Sequence, residues 1–297
     1  MLSSKTLEWV GHAIDALPEH LEITRLKGSN SSPVFSIQNP KTQIFVLRVL
    51  NNQKWLNEEP DLVRHEVAAL DEAQKTGLLA PKVIAYSEDN VATDFPMVLS
   101  TFLNGNVELH PTDFQKWLEE LATQLTKLHQ HSAPNFPWQY QSWTDKDLLQ
   151  PPDWSTDSKM WERAIELASQ PAPEYFPVFI HRDYHPTNVL WSGNVISGIV
   201  DWINACQGPA GVDVAHCRNN LALMFDVKTA DQFLEMYIQA SPEFEYDVYW
   251  DIDSILNMCL PAPEFYKPWQ EFGMDIIAPE ILQHRTENYL GSLMQRI

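Results

Sequence analysis

The stretch Phe179-Ile180-His181-Arg182-Asp183-Tyr184-His185-Pro186-Thr187-Asn188-Val189-Leu190-Trp191, followed by Ser197-Gly198-Ile199-Val200-Asp201-Trp202, decides how the rest of the chain is read. Val178–Ile180 is a short apolar run that predicts a strand. The polar segment after it sets a His, an Asp and an Asn at the spacing H-x-D-x-x-x-x-N. Val189–Trp191 and Val195–Asp201 are two further apolar runs, separated by the turn-forming Ser192-Gly193-Asn194, and predict a hairpin. A hairpin returns the chain on itself, so Asp201 comes back beside Asn188. The carboxylate of Asp201 and the amide oxygen of Asn188 are hard donors suited to Mg²⁺. Asp183 is then the free carboxylate of the loop, able to orient a hydroxyl and accept its proton.

Working outward towards the N-terminus, Ile44–Leu50 is an apolar run broken only by Arg48 and predicts a strand. A cation on an apolar strand face needs a partner or a ligand. Glu66 is the natural partner. It lies on a helix predicted between Pro60 and Gly77, on one stripe with Leu62, Ala69, Leu70 and Ala73, where an unpaired carboxylate would be costly. The polar loop Gly28-Ser29-Asn30-Ser31-Ser32 sits between two short strand candidates, Ile23–Leu26 and Val34–Ile37. Its backbone N–H groups and the hydroxyl and amide of Ser29 and Asn30 could meet phosphate oxygens, although a single glycine also suits an ordinary hairpin turn. A cation, a metal pair and a free carboxylate are the parts that phosphoryl transfer to a hydroxyl requires.

Composition narrows the field. The chain has 297 residues, 44% hydrophobic and 20% charged, with a formal net charge of −20. That composition is globular, and the length fits two lobes. The negative charge and the lack of any clustered Lys/Arg run exclude general nucleic-acid binding. No apolar run is long enough for a membrane helix. The N-terminal residues, interrupted by Glu8 and Asp15, lack the apolar core of a signal peptide. Cys206, Cys217 and Cys259 are widely spaced and odd in number, which fits free thiols in a reducing compartment. The reading is therefore a cytoplasmic protein.

The first hundred residues read as mixed strands and helices: a helix over Leu2–Leu17, the strands named above, and strands at Lys82–Tyr86 and Met97–Phe102. Phe114, Trp117, Leu118, Leu121, Leu125 and Leu128 then recur at helical spacing. Residues 132–177 are rich in Pro and Trp and predict a loop-heavy insertion with short helices. From Ala215 onward the pattern is mainly helical. The expected fold class is α+β with two lobes: a strand-rich N-terminal lobe over 1–99, a hinge at 100–104 and a helical C-terminal lobe over 105–297.

On these motifs the chain resembles the aminoglycoside phosphotransferase and choline kinase group of small-molecule kinases, from about Ile23 to Asn220. The group's loop is usually H-G-D-x-H-x-x-N, and His181, Asp183, His185 and Asn188 fit it. The strongest stretch runs from Phe179 to Asp213. The resemblance implies a protein-kinase-like fold and an ATP-dependent phosphotransferase acting on a hydroxyl of a small molecule, with aminoglycoside-like and other cationic acceptors among the candidates. It implies Asp183 as catalytic base, Asn188 and Asp201 as Mg²⁺ ligands, and Arg48, held by Glu66, on the phosphates. It also implies Met97–Leu103, with Ser100 and Phe102, as the segment that meets adenine, and Asp213 as a brace for the C-lobe. Arg48 stands where many relatives have Lys, and the nucleotide loop is poor in glycine, which keeps a non-catalytic ligand-binding pseudokinase as the alternative. A zinc hydrolase built on His181 and His185 is a weaker rival, because Pro186 breaks the helix that such spacing needs. The acceptor end is less legible. Its acidic residues (Glu243, Glu245, Asp247, Asp251, Asp253, Glu264, Asp275) and aromatics (Trp154, Tyr249, Trp250, Tyr266, Trp269) read mostly as a solvated face and core packing, and none is assigned as a ligand.

Overall fold

Ser3 accepts a hydrogen bond from the Thr6 N–H and starts the first helix, α1 (Ser4–Ile14), which Asp15 ends in a left-handed conformation. The helix is shorter than expected because the chain turns at Asp15, ahead of Pro18. This computed structural model describes residues 2–29, 31–88, 93–143 and 145–297.

Five strands follow: β1 (Glu22–Arg25), β2 (Val34–Gln38), β3 (Ile44–Val49), β4 (Val83–Ser87) and β5 (Met97–Thr101). They form an antiparallel sheet in the order β1-β2-β3-β5-β4. Val10, Ile37, Leu47, Met97 and Leu99 pack α1 onto one face of it. Between β3 and β4 lie α2 (Gln53–Glu58), which the sequence reading omitted, and α3 (Leu62–Ala73), which carries Glu66. Leu62, Val63 and Leu70 on α3 join the larger core.

The remainder is mainly helical. α4 (Phe114–His129) follows the predicted apolar stripe, and the insertion contains α5 (Ser158–Ala168). Two small ribbons come next. The strand β6 (Pro177–Ile180) and the hairpin β7 (Val189–Ser192) and β8 (Val195–Ile199) were expected; β9 (Cys206–Pro209) was not, since Cys-Gln-Gly-Pro has none of the β-branched residues that mark a strand. β6 pairs with β9 and β7 with β8. The chain ends in α6 (Ala210–Met224), α7 (Val227–Ala240), α8 (Val248–Cys259), the short α9 (Lys267–Glu271) and α10 (Pro279–Met294). One continuous apolar core links α3, α4, the ribbons and these helices, with Trp161, Trp202 and Trp269 fully buried in it. The architecture is α+β, a sheet-built N-lobe and a helical C-lobe, as expected. All three cysteines are free and buried. No helix among the described residues is long and apolar enough to cross a membrane.

Candidate active site

The loop after β6 is held from below by Asp213, in the first turn of α6. Its carboxylate accepts the backbone N–H groups of His181 (2.7 Å) and Arg182 (2.6 Å) and lies 3.1 Å from His129 Nε2. Asp213 is fully buried, so these bonds are what make its charge tolerable there. His181 lies over Trp202, and its Nε2 donates to the Val200 carbonyl at 2.9 Å. His181 therefore ties the loop to the end of the β7–β8 hairpin and is not a metal ligand in waiting. His129, at the end of α4, lies between Asp213 and the Tyr237 hydroxyl (2.6 Å) and supports the loop from the core.

Within the loop, Asn188 donates from its amide nitrogen to the Asp183 carbonyl (2.9 Å) and to Asp183 Oδ2 (3.1 Å), and the nitrogen also lies 3.1 Å from His185 Nε2. With the amide hydrogens turned that way, Asn188 Oδ1 faces away from Asp183. The register Val189↔Ile199 and the Val200 N–H bond to the Asn188 carbonyl (2.9 Å) bring Asp201 back to the loop, as the hairpin predicts. Asp201 itself is left-handed, at φ 67°.

Asp183 has a second histidine neighbour that the sequence reading missed. His216 Nε2 lies 3.0 Å from Asp183 Oδ1, and His185 Nε2 lies 3.5 Å from the same oxygen. The signal was available: His216 is three residues beyond Asp213 on α6, hence on the same helical face. Burial alone would raise the Asp183 carboxyl. The charge of His185, the hydrogen bond from His216 and its charge outweigh burial and hold the group well below the usual carboxylate range. Burial pushes His185 down to about 4, against the pull of Asp183. At neutral pH the loop thus presents an ionised Asp183 beside an uncharged His185. Asp183, His185 and His216 place ligand atoms within 4.8 Å of one another, so the set that could hold a transition metal differs from the His181–His185 pair considered from sequence.

Arg48 enters from the N-lobe. The ladder sets it opposite Val34 on β2 and Val98 on β5. Its guanidinium donates from Nε to Glu66 Oε1 (2.9 Å), from Nη1 to Ser32 Oγ (3.1 Å) and from Nη2 to Asp201 Oδ1 (2.7 Å). Burial opposes the charge of Arg48, but Asp201 and Glu66 raise its pKa above the ordinary value. For Glu66 burial wins, and its carboxyl is raised despite Arg48. Glu66 Oε2 is buried with no partner.

Two cavities flank this cluster. A cleft of about 550 Å³ lies under the sheet, lined by Val46, Arg48, Val98, Ser100, Phe102 and Asn188 among others. A more open chamber of about 810 Å³ holds Asp183, His185 and His216. Asp201 and Gly28 line both. Ser29 also lines the cleft, but its hydroxyl is turned inward to the Ser32 carbonyl. Asn30 lies outside the described residues. Gly28, at φ 88°, donates its N–H to Glu271 Oε2 at 2.6 Å, and a Cβ there would come within 2.9 Å of the Phe272 ring. Glu271 and Phe272, from the C-lobe, carried no signal in the sequence.

Of the acidic and aromatic residues noted for the acceptor end, Glu264, Tyr266 and Trp269 line the chamber. Asp251 is instead buried in a bonded cluster with Arg218, Tyr246 and Tyr289. Asp247 caps α8 through the Tyr249 N–H. Trp154 packs edge-on to Trp161, and Glu243, Glu245 and Asp275 are exposed.

The sequence model of the phosphotransferase enzyme family matches residues 22–249. A homoserine kinase from Afipia carboxidovorans is 36% identical over 86 residues, 27% of this chain and 26% of that protein. The chain thus spans about a quarter of the length of the curated relative it matches. Among solved structures, the amicoumacin kinase hAmiN with AMP-PNP, Ca²⁺ and Ami superposes at a TM-score of 0.63, 13% identity, over 99% of this chain and 98% of that one. A thermostable mutant of aminoglycoside phosphotransferase APH(4)-Ia with ADP and hygromycin B gives 0.63, 15% identity, over 97% and 99%. At these identities the likeness is one of fold.

Proposed function

The chain belongs to the phosphotransferase enzyme family, and from that premise we propose that it transfers the γ-phosphoryl group of ATP to a hydroxyl of a small molecule. The observation that carries the reading is the position of Asp201, on the wall shared by two cavities, with Arg48 in one and Asp183 in the other. A nucleotide in the cleft would lay its base between Val46 and Val98, near Ser100 and Phe102 at the 100–104 hinge, and its phosphates towards Arg48 and the loop at Gly28 and Ser29. An acceptor in the chamber would meet Asp183.

Asn188 Oδ1 and the Asp201 carboxylate are an all-oxygen donor pair, and the Asn188 amide is already oriented with its hydrogens on Asp183. That fits Mg²⁺. A divalent cation held there would neutralise charge on the phosphates. The remaining steps fall to the chain. Arg48, fixed by Glu66, would move its Nη2 from Asp201 to a phosphate oxygen. Asp183, fixed by Asn188 and His216, would accept a hydrogen bond from the acceptor hydroxyl. As the bond between the hydroxyl oxygen and γ-phosphorus forms and the bond from γ-phosphorus to the bridging oxygen breaks, ADP leaves and the hydroxyl proton passes to Asp183. In a loose transition state the proton moves late, so Asp183 chiefly orients the hydroxyl before accepting its proton.

The test is a coupled ADP-release assay with Mg-ATP against aminoglycosides, macrolides, choline-like amino alcohols, L-homoserine and sugars. Acceptor-dependent release is expected, and Asp183→Ala should lower turnover by roughly 10²–10⁴-fold with Mg-ATP affinity retained. Unchanged turnover in the variant removes Asp183 from the role proposed. A chain that binds neither Mg-ATP nor Mg-GTP in calorimetry returns the reading to the non-catalytic pseudokinase.

A further inference from the structure

Arg182 immediately precedes Asp183 and sits at φ 68°, a left-handed conformation that glycine adopts freely and arginine only at a cost. Its side chain is held by the insertion. The guanidinium lies 3.8 Å from the centroid of the Trp143 ring and 5.5 Å from that of Tyr140, and Nη2 donates to the Gln141 carbonyl. Nε is buried without a partner. Among the described residues no carboxylate lies within ion-pair distance of this cation; Asp213 accepts the backbone N–H groups of His181 and Arg182 and lies against His129.

Asp253, on α8, mirrors this. It is 6% exposed. It accepts hydrogen bonds from Tyr140 Oη and Ser142 Oγ, both at 3.2 Å, and among the described residues no cation lies within ion-pair distance. Arg182 and Asp253 line one small pocket together with Tyr140, Trp143, His216 and Trp250, yet they do not pair with each other. Trp143 and His216 also line the chamber that holds Asp183, so the pocket adjoins it. A half-buried cation and a buried carboxylate, neither of them in an ion pair among the described residues although Lys146 acts on Asp253 from a distance, line one space and are complementary to a ligand that brings both charges.

We propose that this pocket is the head-group site for a hydroxy amino acid. Its α-carboxylate would lie on Arg182 and its α-ammonium on Asp253, and its side-chain hydroxyl would reach past His216 to Asp183. The acceptor would then leave as its O-phospho ester, with ADP as the other product. This deepens the kinase reading and rests on it.

Binding to the full chain, measured by calorimetry with AMP-PNP and Mg²⁺ present, tests it. The probes are L-serine, L-homoserine, and the two halves of homoserine: aminopropanol, which lacks the carboxylate, and hydroxybutyrate, which lacks the amine. At least one amino acid should bind about ten-fold or more tightly than either half. Arg182→Gly should bring homoserine to the level of aminopropanol, and Asp253→Asn should bring it to the level of hydroxybutyrate. Glycine suits the backbone at 182, so the first variant should fold, and AMP-PNP affinity in each variant checks that it has. Equal binding of whole and halves overturns the proposal. So does the absence of binding by both amino acids, or an unchanged affinity in Arg182→Gly. Loss of AMP-PNP binding by the wild-type chain would instead sink the kinase reading beneath it.

Discussion

Glu66→Gln separates what the Arg48–Glu66 pair does for stability from what it does for binding. Both residues are buried, at 9% and 5% exposure. One Glu66 oxygen accepts from Arg48 Nε at 2.9 Å, and the other has no partner. Burial raises the Glu66 carboxyl even against Arg48, so desolvation outweighs attraction at this position. Glutamine keeps an oxygen for the Arg48 Nε–H, removes the buried charge and sets an NH₂ where the orphaned oxygen was. Lost attraction and relieved desolvation then offset each other, and stability should change by no more than about 1 kcal/mol. For a chain of this length that is ~2–3 °C in Tm. Binding should respond more strongly. Arg48 would keep Asp201 as its one charged partner and settle there, against the site proposed for the metal. Weakening one charge-assisted hydrogen bond should raise the Kd for Mg-ATP by about ten-fold. Thermal melts and calorimetry on the two proteins read both quantities. A Tm loss well beyond ~3 °C would refute the statement that burial dominates at Glu66, and an unchanged Kd would refute the alignment role.

Two further outcomes follow from the same geometry. Asp201→Ala should abolish the Mg²⁺ dependence of nucleotide binding in calorimetry; retained dependence removes Asp201 from the metal site. Burial lowers the pKa of His65, which bonds the Ala205 carbonyl and stacks on Trp138, below its ordinary 6.5. Below that pH the unfolded chain binds a proton that the native chain resists, so stability should fall as the pH drops through 6.5. His65→Gln should flatten the fall in Tm between roughly pH 7.5 and 5.5; an identical fall in both proteins denies His65 that role.

Two kinds of information separate what the sequence disclosed from what it hid. Asp183, Asn188 and Asp201 were legible because one hairpin joins them, and a hairpin is a local device that a turn between two apolar runs announces. Arg48 and Glu66 were legible for another reason: each is a charge on an otherwise apolar face, and burial physics demands that such charges find each other even from separate elements. Neither rule reaches Glu271 or Arg182, and His216 is reached only through its helical spacing from Asp213. His216 meets Asp183 because Asp213 draws the loop against α6, a contact between segments about thirty residues apart. Glu271 meets Gly28 across the two lobes with nothing periodic on either side to signal it. Arg182 looks like an ordinary loop arginine until its left-handed backbone and its aromatic cradle are seen. β9 was missed for the converse reason, because its pairing with β6 is imposed by the surrounding core and not by its own composition. Local periodicity therefore sufficed for the groups proposed to handle phosphate, which the hairpin and the sheet bring together themselves. The proposed acceptor side is assembled from the insertion, α6, α8 and the segment around α9, and its side chains come together only where those four meet.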